Sequence, residues 1–171
     1  MKMRALLWLI GLSALIAGCA SRYQAPIGTD RAVLVTNVDY RERSIGGVAL
    51  QTFADEKCGR SPQGTRIADY VSSGRLAPLQ GFETPIPADQ LFVFTFLYSV
   101  GVQTMGGNTS CKITTAFTPK PGRRYRTDFV LLRDSCKVSL VEVHAGQSRS
   151  EAVSDARQLQ HACFDAGLGA R

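Results

Sequence analysis

The sequence predicts a mostly β protein, an antiparallel β-sandwich ending in a C-terminal α-helix and preceded by a cleaved N-terminal signal helix. Three observations point there. Phe92, Phe94, Phe96, Tyr98 and Val100 fall on one face of a strand, and Ile113, Thr115 and Phe117 on one face of the next, the period of half-buried strands. Gly- and Pro-containing turn signals separate these runs at short intervals. After Ser148 the apolar period changes to that of a helix.

Residues 1–18 read as an export signal. Lys2 and Arg4 give a positive start, and Ala5 to Ala17 give an uncharged apolar stretch that falls short of the ~20 residues of a membrane-spanning helix. Residues 19–30 form a polar tether, which as flexible coil has an end-to-end distance on the order of 18 Å. Residues 31–171, roughly 140 in number, suffice for a single domain with its own core.

The run Ile16-Ala17-Gly18-Cys19 resembles the lipobox of bacterial lipoproteins, with Ile16 where Leu is more usual. That resemblance implies that Cys19 receives a diacylglycerol, becomes the mature N-terminus and is acylated again with a fatty chain such as palmitate. Ala20, rather than Asp, follows the cysteine, which in the enterobacterial sorting rule implies the outer membrane, with the domain on its periplasmic face. Two or three acyl chains make a lasting anchor where one does not, at ~0.8 kcal/mol per buried methylene. The alternative is ordinary secretory cleavage after Ala20, which would discard Cys19. Small outer-membrane lipoproteins with transthyretin-like sandwiches, among them a type VI secretion component, are similar in size and layout.

Within the domain, Ala32 to Val38 reads as a first strand and Val48 to Phe53 as a second, with Gly46-Gly47 in the turn between them. From Cys58 to Pro87, Gly, Pro and Ser recur too often for a long helix. A short helical window at Thr65 to Val71 and a path around one edge of the sheet are expected there. Leu91 to Val143 reads as a four-stranded antiparallel meander. In that register Val100 meets Ile113 and Phe96 meets Phe117, Phe117 then meets Tyr125, and Leu131 meets Val138. The N-terminal strands supply the second layer of the sandwich. Ser148 and Glu151 match a capping box, Ala152, Ala156, Leu159 and Cys163 share one side of a helix, and Gly167 ends it.

Of the five cysteines, assigning Cys19 to lipid leaves Cys58, Cys111, Cys136 and Cys163, an even set suited to an oxidising compartment. We expect Cys111 to pair with Cys136 and Cys58 with Cys163. In a flat meander one strand separates Cys111 from Cys136 by roughly 10 Å, whereas a disulfide wants Cα atoms about 4.4 to 6.8 Å apart. The first pair therefore requires a lead-in segment to curl over the middle strand. No two cysteines form a CxxC unit, so no metal site and no cofactor is expected.

The formal net charge falls from +6 to +4 once Lys2 and Arg4 leave with the signal. In an exported protein this mild balance suits solubility, or attraction to wall polymer or lipid headgroups, and not nucleic acid. His144 and His161 stand far apart in sequence, no Gly-x-Ser-x-Gly is present, and no catalytic constellation emerges. The chain is thus read as a non-enzymatic binding or scaffold module of the cell envelope, held at the membrane by its anchor and serving a protein or cell-wall partner. Possible partner-binding residues are Arg123, Arg124 and Arg126, the densest basic group, and Met105 at the tip of the Gln103 to Asn108 loop. That loop would also suit an inhibitor of a cell-wall hydrolase, and the transthyretin-like resemblance an accessory lipoprotein of a secretion or envelope complex.

Overall fold

Strand Arg31–Asp39 (β1) buries Ala32, Leu34, Thr36 and Val38 and leaves the residues between them half-buried, so its alternation writes both its conformation and its inner face. Gly46–Phe53 (β2), Arg66–Ser72 (β3), Leu79–Pro87 (β4), Phe92–Ser99 (β5), Ser110–Phe117 (β6), Arg124–Leu131 (β7) and Cys136–Val143 (β8) follow, with the same alternation complete in β7 and five consecutive buried residues at the start of β5. Two short strands follow, Ser150–Ala152 (β9) and Arg157–Gln158 (β10). The structure is a computed structural model that describes residues 21–28, 30–40, 46–72, 79–99, 110–133, 135–144 and 150–164.

These strands form two five-stranded sheets, ordered β4-β1-β7-β8-β9 and β10-β6-β5-β2-β3. Their inner faces enclose one main core, built on Leu34, Leu50, Phe94, Phe96, Phe117, Tyr125, Phe129 and their neighbours. Aromatic rings knit the layers together. Phe96 of one sheet stacks on Phe129 of the other with centroids 4.7 Å apart, and Phe117 meets Tyr125 edge-on at 5.0 Å. The β-sandwich expected from the sequence is therefore present, with one exception to its antiparallel pairing: β1 runs parallel to β7.

The expected meander is not formed. β5 pairs with β6 in one sheet and β7 with β8 in the other, so Pro119-Lys120-Pro121-Gly122 is a crossover between layers and not a hairpin turn. Phe117 and Tyr125 do meet, but across the core rather than across a ladder. The observed registers pair Phe96 with Ile113 and Leu131 with Cys136, slipped by an even number of residues from those expected. An even slip keeps every side chain on its own face, which is why the apolar face was read correctly. The N-terminal strands likewise do not form a layer of their own: β1 joins β7 and β4, and β2 joins β5 and β3.

The region from Cys58 to Pro87 holds two strands, and the window read as helical at Thr65 to Val71 lies mostly within β3. Both are edge strands, the position in a sheet that tolerates Pro85 and Pro87. The C-terminal helix is also absent among the described residues. The segment instead crosses the second open side of the sandwich, pairing through β9 with β8 and through β10 with β6. Val153 and Ala156 pack on the main core, while Leu159 and Cys163 join a smaller cluster with Phe53, Val93 and Ala116. Unpaired ladder groups on β6 and β8 offer this segment hydrogen bonds that an isolated short helix would have to supply for itself. Ser148 and Gly167, the expected cap and stop, lie outside the described residues.

Candidate functional site

One end of the sandwich gathers the segments with the most chemistry. There the β2–β3 link (residues 54–65), the β4–β5 link (88–91) and the β6–β7 crossover (118–123) come together with the approach to β1. Backbone bonds tie them: Asp89 donates its N–H to Pro119 O at 2.8 Å, Gly122 to Arg31 O at 2.8 Å, and Gln24 to Gln63 O at 2.6 Å.

Residues 21–24, expected as part of a free tether, are bonded to the body. Ser21 O accepts the N–H groups of Thr65 at 2.9 Å and Arg66 at 3.0 Å, and Tyr23 N–H donates to Arg66 O at 2.7 Å. The segment thereby lies along the start of edge strand β3. The Tyr23 hydroxyl donates to Pro85 O on β4 at 2.9 Å, so one side chain spans the two sheets. Burial pushes this hydroxyl's pKa well above its ordinary value. Gly64 makes the approach possible. Its φ is +94°, and a Cβ there would lie within van der Waals overlap of Arg22 O. Arg22, Arg66, Ile67, Ala68 and Asp69 line a shallow cavity of about 340 Å3 beside the docked segment, with Arg66 ion-paired to Asp69. Sequence reasoning missed this docking, whose one local signal was a glycine in the Gln63-Gly64-Thr65 turn.

Both disulfides expected from the sequence are present. Cys58 joins Cys163 with Cα atoms 5.1 Å apart, and Cys111 joins Cys136 at 6.3 Å. The second bond requires no curled lead-in, because β6 and β8 belong to opposite sheets and the bond simply crosses the core between them. It lies at the far end of the sandwich from the first.

Around Cys58 the Asp55 carboxylate accepts from the N–H groups of Lys57 and Gly59, both at 2.9 Å, which fixes the turn and accounts for Asp55 without a cation. Cys58 itself has φ +67°. The His161 ring nitrogen Nε2 lies 2.7 Å from Glu56 O and close to both sulfurs, all three ligand atoms lying within 4.8 Å of one another. While the disulfide is intact both sulfurs are spent, and this cluster offers a metal one imidazole and no thiolate. The pairing of His161 with Cys163 two residues on was the sequence signal for it. His144 lies at the opposite edge of its sheet from β4, with ring nitrogens 3.8 Å from Glu142 and 4.0 Å from Glu151.

Each of the three arginines of the basic group holds a carboxylate. Arg123 pairs with Glu142 at 3.3 Å, Arg124 with Glu83 at 2.5 Å and Arg126 with Asp128 at 3.2 Å. The Arg124 guanidinium keeps the exposed Glu83 carboxyl below its ordinary pKa through a hydrogen bond and its charge. Asp128 is held further by Asn37 Nδ2 at 2.6 Å and Ser139 Oγ at 3.4 Å. Arg124, Arg126, Glu83 and Asp128 therefore form a band of internally compensated charge on the outer face of this sheet, while Arg123 and Glu142 lie on its other side near Tyr125. Cys19 and Met105 lie outside the described residues, and with Met105 the Gln103 to Asn108 loop. No protein-family model, curated protein or solved structure matches the chain.

Proposed function

We propose that the chain is a lipid-anchored module of the bacterial envelope, attached through Cys19 to the periplasmic face of the outer membrane and working by binding a protein or cell-wall partner rather than by catalysis. The observation that carries this reading is the pair of disulfides that join all four cysteines left once Cys19 is set aside. Such complete pairing suits an exported domain, and it leaves Cys19 as the odd thiol at the end of a signal-like segment. The side chains with the most acid–base potential are committed elsewhere, His161 beside the Glu56 carbonyl and His144 between two glutamates.

Two linked measurements test the proposal. Radiolabelled palmitate should enter the wild-type chain and not Cys19→Ser, and equal labelling of both would sink the anchor. In-cell crosslinking of the anchored protein should recover a partner. Because Arg123, Arg124 and Arg126 each hold a carboxylate, changing all three to Ala tests whether that partner competes for them; unchanged recovery removes these arginines from the docking site.

A further inference from the structure

Ser21 is bonded to the body, and only Ala20 separates it from Cys19 in the sequence. Two residue steps reach roughly 7 Å at full extension. An acylated Cys19 therefore cannot hold the domain off the bilayer on a long leash, and the end of the sandwich where Ser21 docks must approach the headgroups. This step rests on the lipid-anchor proposal above.

The chemistry of that end matches the surface it would meet. Ile27, between the docked segment and β1, is fully exposed. Pro26 precedes it and Gly28 follows at φ +119°, within the irregular approach to β1. Arg22, Arg31, Lys57 and Arg60 belong to the same end, are exposed, and form no ion pair among the described residues. By contrast the arginines of the outer sheet face are neutralised. An exposed aliphatic residue on an end that carries four cations without ion pairs, and where Asp55 is held by backbone N–H groups and Asp89 by Lys120, suits an anionic interface, and the short reach keeps it within about one Debye length, ~8 Å at physiological ionic strength.

We infer that the protein lies on an anionic phospholipid surface in one fixed orientation, with Ile27 entering the headgroup region and Arg22, Arg31, Lys57 and Arg60 meeting lipid phosphates. The opposite end, marked by the Cys111–Cys136 bond, then points away from the membrane toward any partner.

The sequence supplies its own reporter. Its single tryptophan, Trp8, leaves with the signal, so Ile27→Trp and Lys137→Trp each give a mature chain with one indole, at the near and far end respectively. The acylated variants are reconstituted into phosphatidylcholine vesicles containing phosphatidylglycerol, with and without brominated acyl chains. The expected result is a blue-shifted emission quenched by brominated lipid for position 27, and an emission quenched only by aqueous iodide for position 137. Changing Arg22 and Arg60 to Gln, or omitting phosphatidylglycerol, should weaken the lipid quenching at position 27. An indole at 27 that stays in water, equal lipid quenching at both positions, or burial at 27 that needs high protein density on the vesicle each overturns the orientation, the last in favour of a second copy. Intact mass separates the two levels: a chain without acyl groups overturns the anchor and the orientation with it, whereas an acylated chain with a water-exposed indole at 27 overturns the orientation alone.

Discussion

Tyr23 reaches from the edge of one sheet to the Pro85 carbonyl on the edge of the other, a 2.9 Å bond between residues 62 apart in sequence. It closes one side of the sandwich as the β9–β10 segment closes the opposite side, where Gln158 Nε2 donates to Val138 O at 3.1 Å. Each open flank is thus bridged by a terminal segment, and neither bridge is a helix.

Tyr23→Phe keeps the ring and removes the hydroxyl, leaving the carbonyl without this donor. It should cost on the order of 1 kcal/mol in denaturant unfolding at neutral pH. The hydroxyl's folded pKa lies above its ordinary value of 10.0, and that of Tyr40 is pushed up to about 12 by burial and by neighbouring Tyr98. Above pH 10 the unfolded chain sheds these protons first, so the wild type loses stability as pH rises there. Tyr23→Phe should lose less over the same range, and parallel curves would place the effect elsewhere.

Gly64→Ala tests the docking of residues 21–24. The added Cβ collides with the Arg22 carbonyl, and φ of +94° adds backbone strain, together on the order of 1–3 kcal/mol. Hydrogen exchange should quicken at the Tyr23, Thr65 and Arg66 amides while the amides of β5 and β7 keep their protection. Unchanged exchange at all three would show that the segment holds by other means.

Phe96 and Phe129 lie nearly parallel, 3° between ring planes, and hold the layers together at mid-core. Each change to Ala should cost about 3–5 kcal/mol. The double-mutant cycle should show coupling of about 0.5–1.5 kcal/mol between them. Strict additivity would mean that the contact contributes only through buried area.

The two disulfides close sequence separations of 105 and 25 residues. The chain-entropy relation gives about 4.8 kcal/mol for the outer bond and about 3.5 for the inner. Paired Cys→Ser changes, measured by denaturant unfolding, should therefore destabilise more at Cys58 and Cys163 than at Cys111 and Cys136. A reversed order would point to strain or to residual structure in the unfolded chain.

Much of this architecture was legible because alternation reports the face a residue occupies. Phe92, Phe94 and Phe96 were read as core, and so they are. Alternation does not report which strand lies alongside, and the link from Phe117 to Tyr125 suits a hairpin or a crossover equally well. The choice is made by the other strands: β1 inserts beside β7 in parallel, which only the folded layers can specify. Ala152 and Ala156 misled for a related reason. Their spacing of four fits a helix turn, but also a strand and the turn after it, and nearby open ladders decided between them. The cysteine pairing was expected correctly although the path was not, since the separation that argued against Cys111–Cys136 belonged to a single sheet. Residues 21–24 carry no alternation, and their place is fixed by a distant strand edge.

The order of the cysteines along the chain has a consequence for how the protein matures. The bond from Cys58 to Cys163 encloses the one from Cys111 to Cys136, so no native bond joins Cys58 to Cys111, the first two of the four paired cysteines in chain order. An oxidant acting on the nascent chain meets Cys58 and Cys111 together before either true partner has appeared. A bond made at that moment must later be undone by thiolate attack, so oxidative refolding of the reduced chain should be faster with a disulfide isomerase than with an oxidant alone.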